Sequence, residues 1–573
     1  MLAIAGVAFA TGAIVGANAG GSPRQALAAS FVKDWTRGNY AAMYADVDQA
    51  SRRAVTPRGL ALAYSEALKL STATNAKIVG HAHSEPGGVV VVPVRVSTRL
   101  FGTLTLNFTI PIHEEGGSQK VSWSRSLTFP GVPPGERLTR RTTLPRRASL
   151  LARDGSVLAE SPPGSADASG EAELTRSSPL GEVANAVIGT VGAPPSSRRA
   201  ALEAEGVPSE GLVGLSGLER AFDRQLRGTA GGELLAGSQV LAAVNPRPAQ
   251  PVRTSVSPGI QRAAVTALGG QLGGAVVMQP STGQILAVAG IGLNGLQPPG
   301  STFKMVTLTG ALNAHVATPH TVFPYATFAT LDGVKLHNAN GEECGGTLSH
   351  AFAVSCNSVF TPLGVKLGAP RLVSTAELFG FNHEPGIEGA SESTLPPAGQ
   401  IQGELDVGST AIGQGEVLAT PLQMLTVAAT IADGGRRPRP TFEAGAHATF
   451  AARAASPSVA HTVRHLMIDV VREGTGTSAA IPGVTVAGKT GTAELKTECS
   501  AQGEASEEAN GESAQHNCPE GEGSNTDAWF AAFAPALHPR VAVCVMLVKD
   551  GAGGDTAAPV AREVMEAALR SGV

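Results

Sequence analysis

The chain has 573 residues, a formal net charge of −4 and only 16% charged residues. It is too long for one compact core and implies three or four domains, and so even a charge balance gives no sign of a nucleic-acid partner. Seventy glycines and 38 prolines imply many turns, and with aromatics at 4% the apolar content comes largely from alanine, valine and leucine.

Residues 1–21 carry no charged side chain, and a run of about 20 such residues is long enough to span a bilayer. Ala17-Asn18-Ala19 has the small-residue pattern of a signal-peptidase site, so this stretch reads as a membrane anchor or a cleaved signal segment. Either way the bulk of the chain is exported. Ser22-Pro23 then reads as an N-cap followed by a first helical position, and Leu27, Phe31 and Trp35 recur every fourth residue, which predicts an amphipathic helix. Further helix is expected to about Leu70. Strands follow, in which Leu104, Leu106, Phe108 and Ile110 alternate with Thr105, Asn107 and Thr109. Helices first and an antiparallel sheet afterwards predict a cone-shaped α+β domain over residues 22–136.

Residues 137–253 offer no chemistry. Pro162 to Gly170 is rich in Ser, Gly and Pro and reads as a flexible excursion, while Gly217-Leu218-Glu219 reads as the start of a structural, ion-pairing helix.

Chemistry is concentrated in residues 254–573, where three strings lie in order: Ser301-Thr302-Phe303-Lys304, Ser355-Cys356-Asn357 and Lys489-Thr490-Gly491. Each is weak alone; Ser30-Phe31-Val32-Lys33 has the same S-x-x-K spacing in a segment with no other catalytic sign. The setting of Ser301 differs. Pro298-Pro299-Gly300 forces a turn before it, and Phe303 to Leu312 reads as helix, so Ser301 falls at a helical first turn where unpaired N–H groups favour developing negative charge. Lys304, three residues on, shares its face and can take the hydroxyl's proton if its own pKa is pulled down by burial and by the charge of Lys489. Ser355 can relay protons, and the Asn357 amide offers one donor and one acceptor to a peptide. A strand over Val484 to Ala493 would present Lys489 to a carboxylate, with Thr490, Gly491 and Thr492 alongside. His461 and His465 sit four apart on a predicted helix, a spacing that can bind metal, but without the acidic partner of a known zinc motif, so no metal is expected.

An insertion at 496–526 is rich in Glu, Gly and Ser and too poor in large apolar residues to bury a core. Cys499 and Cys518 bracket most of it and can pair in an oxidising compartment. Cys344 and Cys356 can pair too, although the reading preferred here is a free Cys356 beside Ser355. Cys544 lies in an apolar strand and is expected to be a buried thiol.

Together the three strings resemble the S-x-x-K, S-x-N and K-T-G set of the penicillin-binding proteins. Longer phrases agree: Gly273-Gly274-Ala275-Val276-Val277 leading to Pro280-Ser281-Thr282-Gly283-Gln284-Ile285-Leu286-Ala287, then Ala411-Ile412-Gly413-Gln414-Gly415 and Thr420-Pro421-Leu422-Gln423. The resemblance covers about residues 255–573. Residues 22–136, ending in Trp123-Ser124-Arg125-Ser126-Leu127-Thr128-Phe129-Pro130, resemble the NTF2-like domain of methicillin-resistance-type members. Arg147-Ala148-Ser149-Leu150-Leu151-Ala152-Arg153-Asp154-Gly155 and Gly217-Leu218-Glu219-Arg220-Ala221-Phe222-Asp223 resemble the dimerisation, or pedestal, region.

The implied protein is a class B, monofunctional member. Its fold class would be multidomain α+β: a serine β-lactamase-like transpeptidase domain with an antiparallel sheet flanked by helices, preceded by a pedestal and an NTF2-like cone. The implied activity is serine D,D-transpeptidation of peptidoglycan stem peptides through a Ser301 acyl-enzyme, blocked by β-lactams and needing no cofactor. The backbone N–H groups of Ser301 and Thr492 would form the oxyanion hole. No glycosyltransferase domain precedes the pedestal, so a membrane glycan polymerase is the implied partner. A β-lactam-hydrolysing or D,D-carboxypeptidase enzyme, and a non-catalytic β-lactam sensor, remain the alternatives.

Overall fold

The computed structural model describes residues 22–161, 176–494 and 525–572. The candidate anchor, the whole excursion from Pro162 to Gly170, and Cys499 and Cys518 lie outside the described residues. Among the described residues, no helix is long and apolar enough to cross a membrane.

The helix Pro23–Arg37 begins as its sequence predicts. Ser22 caps the N–H of Gln25, whose side chain returns the bond to the Ser22 backbone. Its inner face buries Ala28, Phe31, Val32 and Trp35. Short helices Tyr40–Asp46 and Gln49–Ala54 and the longer Pro57–Leu70 follow, then a sheet in which Val89–Thr98 pairs with Thr103–Glu115 and with Ala73–Ile78. Val90, Val92, Val94 and Val96 all point into this core, the period-two spacing of a strand with one buried face. Trp35 meets Phe108 edge-on at 4.8 Å between ring centroids, and the Trp123 indole N–H donates to the Tyr64 hydroxyl at 3.2 Å.

The linking region begins with Leu138–Thr143, which pairs with Gly231–Ala236, and that strand in turn with Gln239–Val244. Glu219, fully buried, is held by Arg147 at 2.6 Å and by Arg176 at 2.8 Å; Arg147 also holds Asp223 at 2.9 Å. Gly217-Leu218-Glu219 therefore opens an ion-pairing helix, Gly217–Ala221. Leu150, Leu158, Val187 and Leu218 belong to the same core as Met278 and Phe303, so linker and catalytic region are packed as one. The boundary read at 253/254 falls inside backbone pairing: Arg253 pairs with Leu151, while Thr254 bridges to Glu443.

Five antiparallel strands form the catalytic sheet, in the order Gln284–Gly290, Gly273–Gln279, Val541–Leu547, Thr526–Ala534, Ala487–Glu494. Both faces are covered, which is why the central strands read as unbroken apolar runs. Ala275 and Val277 pack under helices Pro258–Leu268 and Ala557–Arg570, whereas Val276 and Met278 face the helical core that holds Phe303 and Leu425. Cys544 is buried here as a free thiol, its pKa pushed up by burial. Ala487–Glu494, the strand of Lys489, lies at the sheet's edge.

Candidate active site

The nucleophile turn is a 3-10 turn, Gly300–Phe303, running into the helix Lys304–Asn313. Two close backbone approaches fix it. The Gly300 N–H donates to the Gly413 carbonyl at 3.0 Å, and a Cβ on Gly413 would lie 2.2 Å from the Gly300 carbonyl oxygen. On the other side a Cβ on Gly491 would meet the Pro299 carbonyl oxygen at 2.7 Å. These contacts account for glycine in Ala411-Ile412-Gly413-Gln414-Gly415 and in Lys489-Thr490-Gly491. Ser301 itself is partly exposed, and its hydroxyl has no hydrogen-bond partner among the described residues.

Lys304 is completely buried. Its Nζ donates to the Ser355 carbonyl oxygen and to Asn357 Oδ1, each at 2.6 Å, lies 3.4 Å from the Ser355 hydroxyl, and sits over the Phe360 ring. Burial, reinforced by the positive charge of Lys489, holds its pKa well below the ordinary lysine value. This is the direction a proton-accepting amine requires. The resting contacts run to Ser355 and Asn357 rather than to the Ser301 hydroxyl.

Ser355 sits at a left-handed φ of 61°, a conformation that costs a non-glycine residue about 1–3 kcal/mol and that surrounding structure must enforce. The turn is enforced on both sides. Cys356 forms a disulfide with Cys344, at a Cα–Cα distance of 5.8 Å, so the free Cys356 expected from sequence is corrected. After the strand Cys344–Thr347, one short helix, Leu348–Ala353, brings the turn back beside that strand, a proximity that spacing alone did not disclose. Asn357 opens the helix Asn357–Leu367 with Cys356 at the N-cap. The Asn357 amide is largely engaged: Oδ1 accepts from Lys304, and Nδ2 donates to the His337 carbonyl at 2.9 Å. One N–H and one lone pair of the amide are left over.

Lys489 enters from the edge strand. It too is fully buried, with Nζ 2.9 Å from the Ser355 hydroxyl, and burial brings its pKa down to about 7. Thr490 places its hydroxyl 2.6 Å from that of Thr475, and the Thr492 hydroxyl accepts from the Gly553 N–H at 3.3 Å. Thus Lys304, Ser355, Asn357 and Lys489 form one bonded cluster, with Ser301 one helical turn from Lys304. Sequence reasoning missed His337, Asn338 and Thr475; Thr475 lies between Gly474 and Gly476, one of several hydroxyl residues in the stretch that joins a helix to the lysine strand. His461 and His465 do meet, Nε2 to Nε2 at 3.2 Å, on the exposed side of the helix Pro457–Glu473. Among the described residues, no group of three metal-ligating side chains forms.

The comparisons agree with this geometry. Residues 273–566 match the penicillin-binding protein transpeptidase domain, 167–241 the penicillin-binding protein dimerisation domain, and 23–136 the NTF2-like N-terminal transpeptidase domain. A peptidoglycan D,D-transpeptidase PbpA of Mycolicibacterium smegmatis is 34% identical over 429 residues, covering 62% of this chain and 80% of the relative. The crystal structure of PBPA from Mycobacterium tuberculosis is similar at a TM-score of 0.56 and 29% identity, covering 74% of this chain and 99% of that one. The D,D-transpeptidase domain of a peptidoglycan glycosyltransferase from Eggerthella lenta gives 0.57 and 29%, covering 74% and 98%. Sequence strings, site geometry and relatives converge: this chain belongs to the penicillin-binding proteins, as a class B transpeptidase with an NTF2-like domain at its N-terminal side.

Proposed function

We propose that the chain crosslinks peptidoglycan as a serine D,D-transpeptidase in which Ser301 is the nucleophile and Lys304 its base. The observation that carries this reading is the buried Lys304 amine, one turn from an unpartnered hydroxyl and bonded into the Ser355–Asn357 turn. Ser301 Oγ attacks the carbonyl of the D-alanyl-D-alanine bond, and its proton passes to Lys304 as the base contact tightens around bound substrate. Ser355, within reach of both lysines, hands a proton to the departing D-alanine amine. The acyl-enzyme ester is then attacked by the amine of a second stem peptide, whose proton returns by the same path and frees Ser301.

Lys489 and the Thr490 hydroxyl hold the substrate's terminal carboxylate, and Gly491 keeps that strand close to the serine turn. Thr492 is an edge-strand residue whose carbonyl lies beside Gly300. A strand residue directs its N–H and C=O to the same side, so the Thr492 N–H joins that of Ser301 as the oxyanion hole. β-lactams, strained acyl donors that carry a carboxylate, enter by the same acylation. Residues 1–21 serve as anchor or export signal, and a membrane glycan polymerase supplies the strands to be joined.

Fluorescent penicillin tests the assignment: wild type labels covalently and stably, and Ser301→Ala does not. Equal labelling of the two would refute the nucleophile, and an adduct lost within seconds would move the reading to a β-lactam hydrolase.

A further inference from the structure

Two adjacent residues outside the three motif strings clasp two adjacent residues inside the site. The carbonyl of His337 accepts from Asn357 Nδ2 at 2.9 Å, and the next side chain, Asn338, accepts from the Ser358 backbone N–H through Oδ1 at 2.8 Å. Asn338 is 5% exposed and its other half is fully engaged: Nδ2 donates to the carbonyls of Ala326 and Glu342 at 2.7 and 2.8 Å and approaches the Ser358 hydroxyl at 3.2 Å. A buried amide with donor and acceptor both satisfied admits one orientation only.

The consequence reaches the chemistry through Asn357. Its Oδ1 holds the Lys304 amine and its Nδ2 is tied to His337, so its rotamer is set by how the hairpin Phe328–Leu331 and Val334–His337 is seated. Asn338, directly after that hairpin, seats it against the first turn of the helix that carries Asn357. We propose that Asn338 is a positioning residue for acyl transfer, acting on Lys304 through Asn357. The inference rests on the Lys304 reading above and concerns a residue that touches no substrate.

A double-mutant cycle on the full chain tests it, reading the acylation rate constant with fluorescent penicillin at saturating concentration. Asn338→Ala is expected to slow acylation about tenfold or more, in line with the loss of a precisely held polar contact. In an Asn357→Ala background the same change is expected to add less than about twofold, because the residue it acts through is gone. Equal effects in both backgrounds would overturn the proposal and leave Asn338 a packing residue. Asn338→Asp keeps the acceptor for Ser358 and serves if the alanine variant does not fold; the cycle is read the same way. Loss of labelling by Ser301→Ala is measured alongside, so that failure of the nucleophile assignment is seen separately.

Discussion

Lys304 and Lys489 converge on a single hydroxyl, that of Ser355, with Nζ atoms 3.4 and 2.9 Å from its oxygen. Two buried amines so close cannot both carry charge at low cost, and on top of its own burial the charge of Lys489 lowers the affinity of Lys304 for a proton. With Lys304 as the proposed base, acylation needs it neutral, so the rate is expected to fall as pH drops through the Lys304 pKa. Replacing Lys489 with methionine removes the neighbouring charge, raises the Lys304 pKa and moves this acid limb to higher pH. Single-turnover penicillin acylation measured against pH checks it; an unmoved limb would mean that the lysines are not coupled.

The same burial has a signature in stability. An unfolded lysine titrates near 10.5, whereas Lys489 in the folded protein titrates at about 7 and Lys304 is also lowered. Between the folded and unfolded values the unfolded chain binds more protons, so unfolding free energy rises with pH across that window. The folded state carries the full cost of these charges below the folded values and is relieved of it above. Urea denaturation at a series of pH values from 7 upward is expected to show this rise, and Lys489→Met to flatten it.

Gly413→Ala and Gly491→Ala place a Cβ 2.2 and 2.7 Å from backbone oxygens of the nucleophile turn. Relief requires displacing Gly300 or Pro299, and the expected result is at least about a tenfold loss of acylation with a stability loss of about 1–3 kcal/mol. Gly399→Ala, where a Cβ meets nothing within 4 Å, is the matched control and is expected to leave both unchanged.

The bridge between Cys344 and Cys356 closes a loop with a sequence separation of 12. A loop of that size stabilises by about 3 kcal/mol through the unfolded chain. Cys344→Ala is expected to lower the unfolding free energy by that order. Peptide mapping without reductant is expected to recover the two segments as one linked species; recovery of both as alkylated thiols would remove the bridge.

Glu219 lies far along the chain from the reacting groups, yet it is fully buried between two arginines. Glu219→Ala takes away the carboxylate that Arg176 holds and leaves Arg147 with Asp223 alone, and is expected to cost about 3–5 kcal/mol. Acylation per folded molecule is expected to stay at the wild-type rate, because among the described residues no hydrogen bond or ion pair joins this cluster directly to Lys304. A slowed rate in folded protein would show that the linker region shapes the site.

The sequence exposed what depends on local pattern. Every-fourth apolar spacing located the first helix and its cap, alternation located the strand of Phe108, and the order of Ser301, Ser355 and Lys489 pointed to the catalytic cluster. It was silent where contacts depend on distant backbone. Cys344 and Cys356 pair because a short helix brings the turn back beside the strand, and Asn357 engages Lys304 because the amine is aimed inward. Asn338 carries no motif at all; its role lies in four polar contacts made across a hairpin.

The glycines that wedge the serine turn limit how this target can escape drugs. With Gly300, Gly413 and Gly491 pressed against neighbouring main chain, that wall tolerates no added atom without disturbing the nucleophile itself. Substitutions that change how a β-lactam fits while sparing the turn are therefore expected outside this wall of glycines.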